Sequence, residues 1–192
     1  MVLLEMKMIT IIIKPMVSLV NPSDPQSIRR VCRFSMNLSK AENFETLSCD
    51  GFELRGFKVA QDEELLLRLN NEIFSEHPDQ GNWSLGKMMT KLNETLRAEE
   101  DVQFLVYRDE PAGFVWFKHH KLLDSAPCEI YVLGVLERFR GVGLGRYLVA
   151  SALNRMLSMG CEVAWVYTDD SNSVAKSLYE SFGFRLDLIE EL

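Results

Sequence analysis

Between Arg138 and Val149 the chain reads RFRGVGLGRYLV, with glycine at 141, 143 and 145 and an apolar, helix-forming run directly behind them. The residues just upstream, EIYVLGV, have the character of a strand, so the segment predicts strand, glycine loop and helix start in succession. Free N–H groups at a helix N-terminus converge on one place, and the helix dipole adds roughly half a positive charge there. Glycines let a ligand come right up to such a backbone. The segment therefore reads as an anion site, able to hold a diphosphate with few basic side chains. A dinucleotide fingerprint would need glycine at position 146, which is Arg146, and a P-loop would need a Gly-Lys-Ser/Thr ending that is absent. On these residues alone, a turn that merely links strand to helix is the alternative.

From Phe52 onward the order of elements is regular. FELRGFKV alternates as a strand, and DEELLLRLNNEIF places Leu66, Leu69 and Ile73 on one helical face behind acidic residues. SLGKMMTKLNETL repeats the helical period through Leu85, Met88, Met89, Leu92 and Leu96, with Ser84 as N-cap. VQFLVY and GFVWF flank the polar RDEPA as a hairpin, and CEIYVLGVL is a further strand. RYLVASALNRMLSMG predicts a helix ended by Gly160; VAWVYT, SNSVAKSLYESF and FRLDLI follow as strand, helix and strand. The expected fold class is α/β (α+β), a mixed central β-sheet flanked by helices. Ahead of Asp50, MITIIIKPMVSLV and SIRRVCRFSMNL read as extended segments parted by the turn-rich NPSDPQ. They are too little for a domain, so residues 1–51 are expected as a short N-terminal β-strand extension and residues 52–192 as the domain. Strands without a domain of their own leave edges to cover, which predicts a homodimer or partner contact through them.

A chain of 192 residues, 47% of them apolar, can bury one good core. Its net charge of -7 and lack of a basic run argue against nucleic-acid and anionic-membrane partners. The apolar stretch Met8 to Val20 is broken by Lys14 and Pro15 and falls short of the roughly 20 residues of a membrane span. It lacks a cationic leader, since Glu5 precedes Lys7. Cysteines at 32, 49, 128 and 161 show no close pair and no zinc or redox spacing, which predicts isolated reduced thiols in a cytoplasmic protein. His77, His119 and His120 lack metal spacing, and no metal is expected.

The Arg-x-x-Gly-x-Gly pattern of Arg140, Gly143 and Gly145, followed later by SNSVAKSLYESFGF, resembles the GCN5-related N-acetyltransferase superfamily. The resemblance covers about Phe52 to the C-terminus. It implies that superfamily's fold and acetyl-CoA as co-substrate. Leu133, Gly134 and Val135 would hold the pantetheine arm; Arg140, Gly141, Val142, Gly143, Leu144, Gly145 and Arg146 would hold the pyrophosphate. Asn172, Ser173, Val174, Ala175, Lys176 and Ser177 would cover the far side of the cofactor. EIFSEHPDQGNWS, GFVWFK and EIYVLGV are further similar to the C-terminal half of the mycothiol synthase family, whose members carry two tandem acetyltransferase domains and acetylate the cysteinyl amine of cysteinyl-glucosaminyl-inositol. In that light RRVCRFSMNL resembles the final strand of a lost first domain plus the interdomain linker. On that reading, first-domain residues that help bind substrate in the family would have no counterpart in this chain. An acetyltransferase for another amine, or a non-catalytic acetyl-CoA-binding remnant, are the competing readings.

Acetyl transfer to an amine needs a base, an oxyanion site and a proton for the departing thiolate. Strand alternation puts Glu129, Tyr131 and Leu133 on one face, so Glu129 can act as general base from the strand before the loop; its alternative is a solvent-facing carboxylate. A backbone N–H around Leu133 to Val135 can stabilise the oxyanion if the strand splays from its neighbour, a departure that Gly134 eases. Tyr179, two helical turns past Asn172, is either the acid or a packed aromatic. By resemblance, Asp79, Lys118 and Tyr167 join Glu129 in binding the acceptor, although each also fits an ordinary surface position.

Overall fold

A computed structural model describes residues 29–46, 49–96, 98–120 and 127–192. Seven strands form one sheet: β1 Arg30–Asn37, β2 Phe52–Gly56, β3 Val102–Tyr107, β4 Glu110–His119, β5 Cys128–Val135, β6 Val163–Asp169 and β7 Arg185–Glu191. Helices α1 Glu63–Ile73 and α2 Leu85–Thr95 separate β2 from β3, α3 Leu144–Ser158 joins β5 to β6, and α4 Ser173–Ser181 joins β6 to β7. From Phe52 onward this is the order read from the sequence. Spatially the strands run β2-β3-β4-β5-β6-β1-β7, and only β5 and β6 are parallel.

Arg30–Asn37 does not stand outside the domain. It is inserted between β6 and β7, antiparallel to both, and buries Cys32 and Phe34 in the core under α3 and α4. Both of its edges are hydrogen-bonded within the sheet, so this strand has no bare edge to offer a partner. The apolar segment 8–20 lies outside the described residues.

Two cores cover the two faces of the sheet. One packs Leu66, Leu69 and Ile73 of α1 and Met88 and Leu92 of α2 on Phe104, Phe114 and Trp116. The other packs Leu148, Val149, Ala152, Leu153 and Met156 of α3 on Val115, Ile130 and Val166. The Ser84 hydroxyl caps α2 by accepting from the Lys87 N–H, as its position predicts. Leu85 and Met89, expected on the packed face of α2, are instead exposed, because its buried stripe runs through Met88, Leu92 and Thr95. The β3–β4 turn is the two-residue Arg108–Asp109, both at positive φ, and Glu110 and Pro111 already belong to β4. Cysteine pairing departs from expectation: Cys128 and Cys161 form a disulfide, and Cys32 and Cys49 are free. The pair is 33 residues apart in sequence, and it meets only because α3 returns the chain beside the start of β5. Among the described residues no helix is long and apolar enough to cross a membrane.

Candidate functional site

β5 and β6 stay paired for only three residues, Cys128 with Ala164, Glu129 with Trp165 and Ile130 with Val166. Beyond that point β6 runs with β1, Tyr167 opposite Arg33 and Asp169 opposite Val31, while β5 stays with β4. A wedge opens between them, and Tyr131 to Val135 have no strand partner on the β6 side. A bulge shapes this stretch: Trp116 pairs with Val132 and Phe117 with Ile130, leaving Tyr131 extra. Alternation is broken there. Tyr131 lies in the α1–α2 core and Leu133 in the α3 core, so the expectation that Glu129, Tyr131 and Leu133 share one face is corrected. Gly134 serves packing rather than flexibility. A Cβ there would meet Ile73 Cγ2 at 2.5 Å and Phe74 Cζ at 3.0 Å, so the end of α1 sits directly on the strand.

The glycine loop stands at the mouth of the wedge. Gly141 and Gly143 hold φ of 87° and 88°, a conformation that side chains rarely adopt. Gly143 is the N-cap of α3, and no side chain caps the first-turn N–H groups. A cleft of about 250 Å³ is lined by Val135, by Arg140, Gly141 and Gly143 to Arg146, and by Val174 and Leu178 of α4. Two stretches far apart in sequence meet there, one running from the end of β5 into α3 and the other on α4. Val142 points out to solvent. Arg140 has one donor engaged within the chain: its Nε donates to the Val135 carbonyl at 2.9 Å, and burial lowers its pKa from the usual guanidinium value. It ties the loop to the end of β5. Arg146 stacks on Phe182 at 4.6 Å and donates to Ser181 Oγ at 2.8 Å, which leaves it at the rim.

Of the α4 residues expected at the cofactor, Val174 lines the cleft. Asn172 accepts from the Ala175 N–H as the helix cap, Ala175 is in the core, and Lys176 donates to the Asp170 carboxylate at 2.7 Å. Ser173 and Ser177 are exposed. Leu178, which the sequence reading left out, completes the wall.

Glu129 is 3% exposed, and its Oε2 lies 2.6 Å from His120 Nε2. The His120 ring in turn lies 5.3 Å from that of Trp165. Lys118 is opposite Glu129 in the β4–β5 register, with its ammonium 5.2 Å from the Tyr131 ring. Burial pushes the Tyr131 and Tyr167 phenols up, and the charge of Glu129 adds to both shifts, while a hydrogen bond from Arg33 opposes the shift of Tyr167. Glu129, Lys118 and Tyr167 are thus brought together. Asp79 belongs to a neighbouring network. It is ion-paired with Arg29, whose Nε donates to Asp169 Oδ1 at 2.6 Å, and His77 Nε2 lies 3.3 Å from Asp169 Oδ2. Burial disfavours the Asp169 charge, yet hydrogen bonds from His77 and Arg29 hold its carboxyl below the usual range. Asp169 is two residues beyond Tyr167 on the same side of β6, so the network continues the same face. From sequence His120 and His77 read as ordinary polar residues without metal spacing, and Arg29 was not singled out.

Tyr179 is fully buried, its ring 6.3 Å from Phe34 and 5.9 Å from Phe184. Its hydroxyl has no hydrogen-bond partner among the described residues, and burial pushes the phenol far above its ordinary value. A buried hydroxyl in that state is a proton donor without an acceptor.

The acetyltransferase (GNAT) family model matches residues 64–184, and the chain belongs to that family. It is 36% identical over 138 residues to the mycothiol acetyltransferase of Thermobispora bispora, covering 70% of this chain and 47% of that protein. It is 32% identical over 166 residues to that of Kocuria rhizophila, covering 82% of this chain and 54% of the relative. The chain therefore spans about half the length of the curated relatives it matches. Among solved structures, a GCN5-related N-acetyltransferase from Sphaerobacter thermophilus superposes with a TM-score of 0.71 at 16% identity, covering 85% of this chain and 50% of that one. Arabidopsis thaliana Naa50, solved with the bisubstrate analogue CoA-Ac-MVNAL, gives 0.56 at 22% identity over 72% of this chain and 85% of that chain.

Proposed function

We propose that the chain transfers the acetyl group of acetyl-CoA to a primary amine, and that the acceptor is the cysteinyl amine of cysteinyl-glucosaminyl-inositol. The observation that carries the reading is the wedge itself, with the glycine loop at its mouth and Glu129 on its strand. The diphosphate would lie against the first-turn amides of α3, and the pantetheine arm would run along the unpaired side of Tyr131 to Val135 toward Glu129. Backbone N–H groups there would stabilise the tetrahedral oxyanion. Glu129, with one carboxylate oxygen held by His120, would take the proton of the attacking amine, directly or through a water, and Tyr179 would give one to the departing thiolate. Lys118, Tyr167 and the Arg29–Asp79–Asp169 network offer polar groups to an acceptor rich in hydroxyls. The mycothiol acetyltransferase relatives support this acceptor.

Incubation with acetyl-CoA and a panel of amines, following free thiol release, tests the reading. The expected result is a specificity constant for cysteinyl-glucosaminyl-inositol well above those for free cysteine and for peptides of varied N-terminus. Equal or better rates on peptides would sink the acceptor and leave the acetyl transfer standing; no thiol release with any amine would sink both.

The loop is tested apart from the chemistry. A substitution at Gly143 mixes ligand contact with backbone strain, because its φ is positive. Gly145 lies inside α3 and lines the cleft, so Gly145→Val adds a side chain at the ligand without that strain. Calorimetric titration is expected to show acetyl-CoA binding weakened by about tenfold or more, a loss of at least about 1.4 kcal/mol. Unaltered affinity would remove the loop from the site.

A further inference from the structure

Three strand ends meet on the side of Glu129 away from the glycine loop. His119 is the last residue of β4 and pairs in register with Cys128, the first of β5. Cys161 lies in the turn between α3 and β6, three residues before Ala164, the register partner of Cys128. The ligand atoms of His119, Cys128 and Cys161 all lie within 4.8 Å of one another. His119 Nδ1 is 3.9 Å from Cys128 Sγ, and its other nitrogen, Nε2, is 3.3 Å from Asp101 Oδ1. The Asp101 side chain is 1% exposed, so a fixed, buried carboxylate orients the imidazole with Nδ1 toward the sulfurs.

This is the arrangement of a metal site with its outer carboxylate in place. Tetrahedral zinc, with bonds of about 2.3 Å to sulfur and about 2.0 Å to nitrogen, separates its ligand atoms by about 3.5 to 3.8 Å. The His119–Cys128 separation is already close to that range. The sulfur–sulfur distance must grow, and breaking the disulfide allows it. Neither the nine-residue separation of His119 and Cys128 nor the 33-residue separation of the cysteines follows a zinc spacing, because the ligands come from three separate elements.

We propose that the reduced form of the Cys128–Cys161 pair, together with His119, binds one thiophilic divalent cation of the zinc type, with the fourth position left to water. Two equivalents of a low-molecular-weight thiol reduce the protein disulfide to two thiols and leave as their own disulfide. The cation then displaces the two thiol protons and bonds both sulfurs and His119 Nδ1. Oxidation of the two thiolates back to the disulfide, by a low-molecular-weight disulfide that is itself reduced to two thiols with two protons taken from solvent, expels the cation. Metal binding and the disulfide are mutually exclusive states of one site. Cys128 immediately precedes Glu129, so both states fix the entry of β5 to the α3–β6 turn. The site is independent of which amine is acetylated.

The full chain is reduced with a phosphine, desalted without air and titrated with Zn²⁺ against a chromophoric chelator, and with Co²⁺ as the spectroscopic probe. The expected result is one zinc per chain, and a cobalt spectrum with thiolate charge-transfer bands and the strong visible bands of a tetrahedral site. Cys161→Ser, at a partly exposed position, and His119→Ala are each expected to weaken zinc at least about tenfold. Asp101→Asn is expected to weaken it by about 10- to 100-fold, in keeping with outer-ligand effects. Addition of a low-molecular-weight disulfide should release the zinc, and renewed reduction should restore binding. Circular dichroism of each variant separates loss of the site from loss of the fold. A folded, reduced parent that binds zinc no better than folded Cys161→Ser, or a folded His119→Ala with undiminished affinity, would overturn the proposal.

Discussion

Glu129→Gln is expected to lower turnover by about 10² to 10⁴-fold, the range of general-base assistance. An amine held as ammonium cannot attack a thioester until it loses a proton, and Gln cannot accept that proton. The loss should be largest at low and neutral pH and should shrink as rising pH deprotonates the amine in solution. The surroundings sharpen the test. Glu129 is enclosed and its Oε2 is held 2.6 Å from His120, so the substitution keeps the shape of the side chain and removes its charge. Acetyl-CoA affinity should stay near that of the parent, since the cleft at the glycine loop contains neither Glu129 nor its partners. The pH profile of turnover at saturating acetyl-CoA is the measurement. A variant that keeps the parent's rate across neutral pH would place the base elsewhere.

What the sequence shows of this fold is what local forces decide. The glycine loop, the cap at Ser84 and the apolar face of α1 depend on residues within a turn or two of one another, and each was legible. The insertion of β1 between β6 and β7 was not, because an eight-residue strand carries no mark of which edge it will join. The bulge at Tyr131 escaped for a related reason. Strict alternation is the default for a strand, and only the partner strand reveals an extra residue. That one residue moves Leu133 to the opposite core.

The candidate site divides in the same way. The loop and the strand before it were readable as a unit, whereas Arg140 looks in sequence like a phosphate ligand and in space spends its Nε donor on the Val135 carbonyl. His120 and His77 carry no sequence signal. Each gains its place from a partner on another element, Glu129 for one and Asp169 for the other, which only the closed sheet supplies.

Tyr179→Phe should separate a catalytic hydroxyl from a packed ring, because the two roles predict the same effect on stability and different effects on turnover. The ring is wholly buried against Phe34 and Phe184, and Phe preserves those contacts. The hydroxyl has no hydrogen-bond partner among the described residues, so its removal relieves a buried, unsatisfied polar group. Unfolding stability should be unchanged or raised by up to about 1–3 kcal/mol, the desolvation cost of such a group. Turnover should nevertheless fall, by about 10²-fold at the lower end of general-acid effects, since a thiolate is already a good leaving group. The shape of the pH profile gives a second check. Burial pushes the phenol pKa far up, so Tyr179 keeps its proton through neutral and mildly alkaline pH. Parent and variant should therefore differ by a constant factor across that range, unlike the converging profiles expected for Glu129→Gln. Equal turnover with raised stability would show that Tyr179 only fills the core, and the proton for the thiolate would then have to come from solvent or another residue.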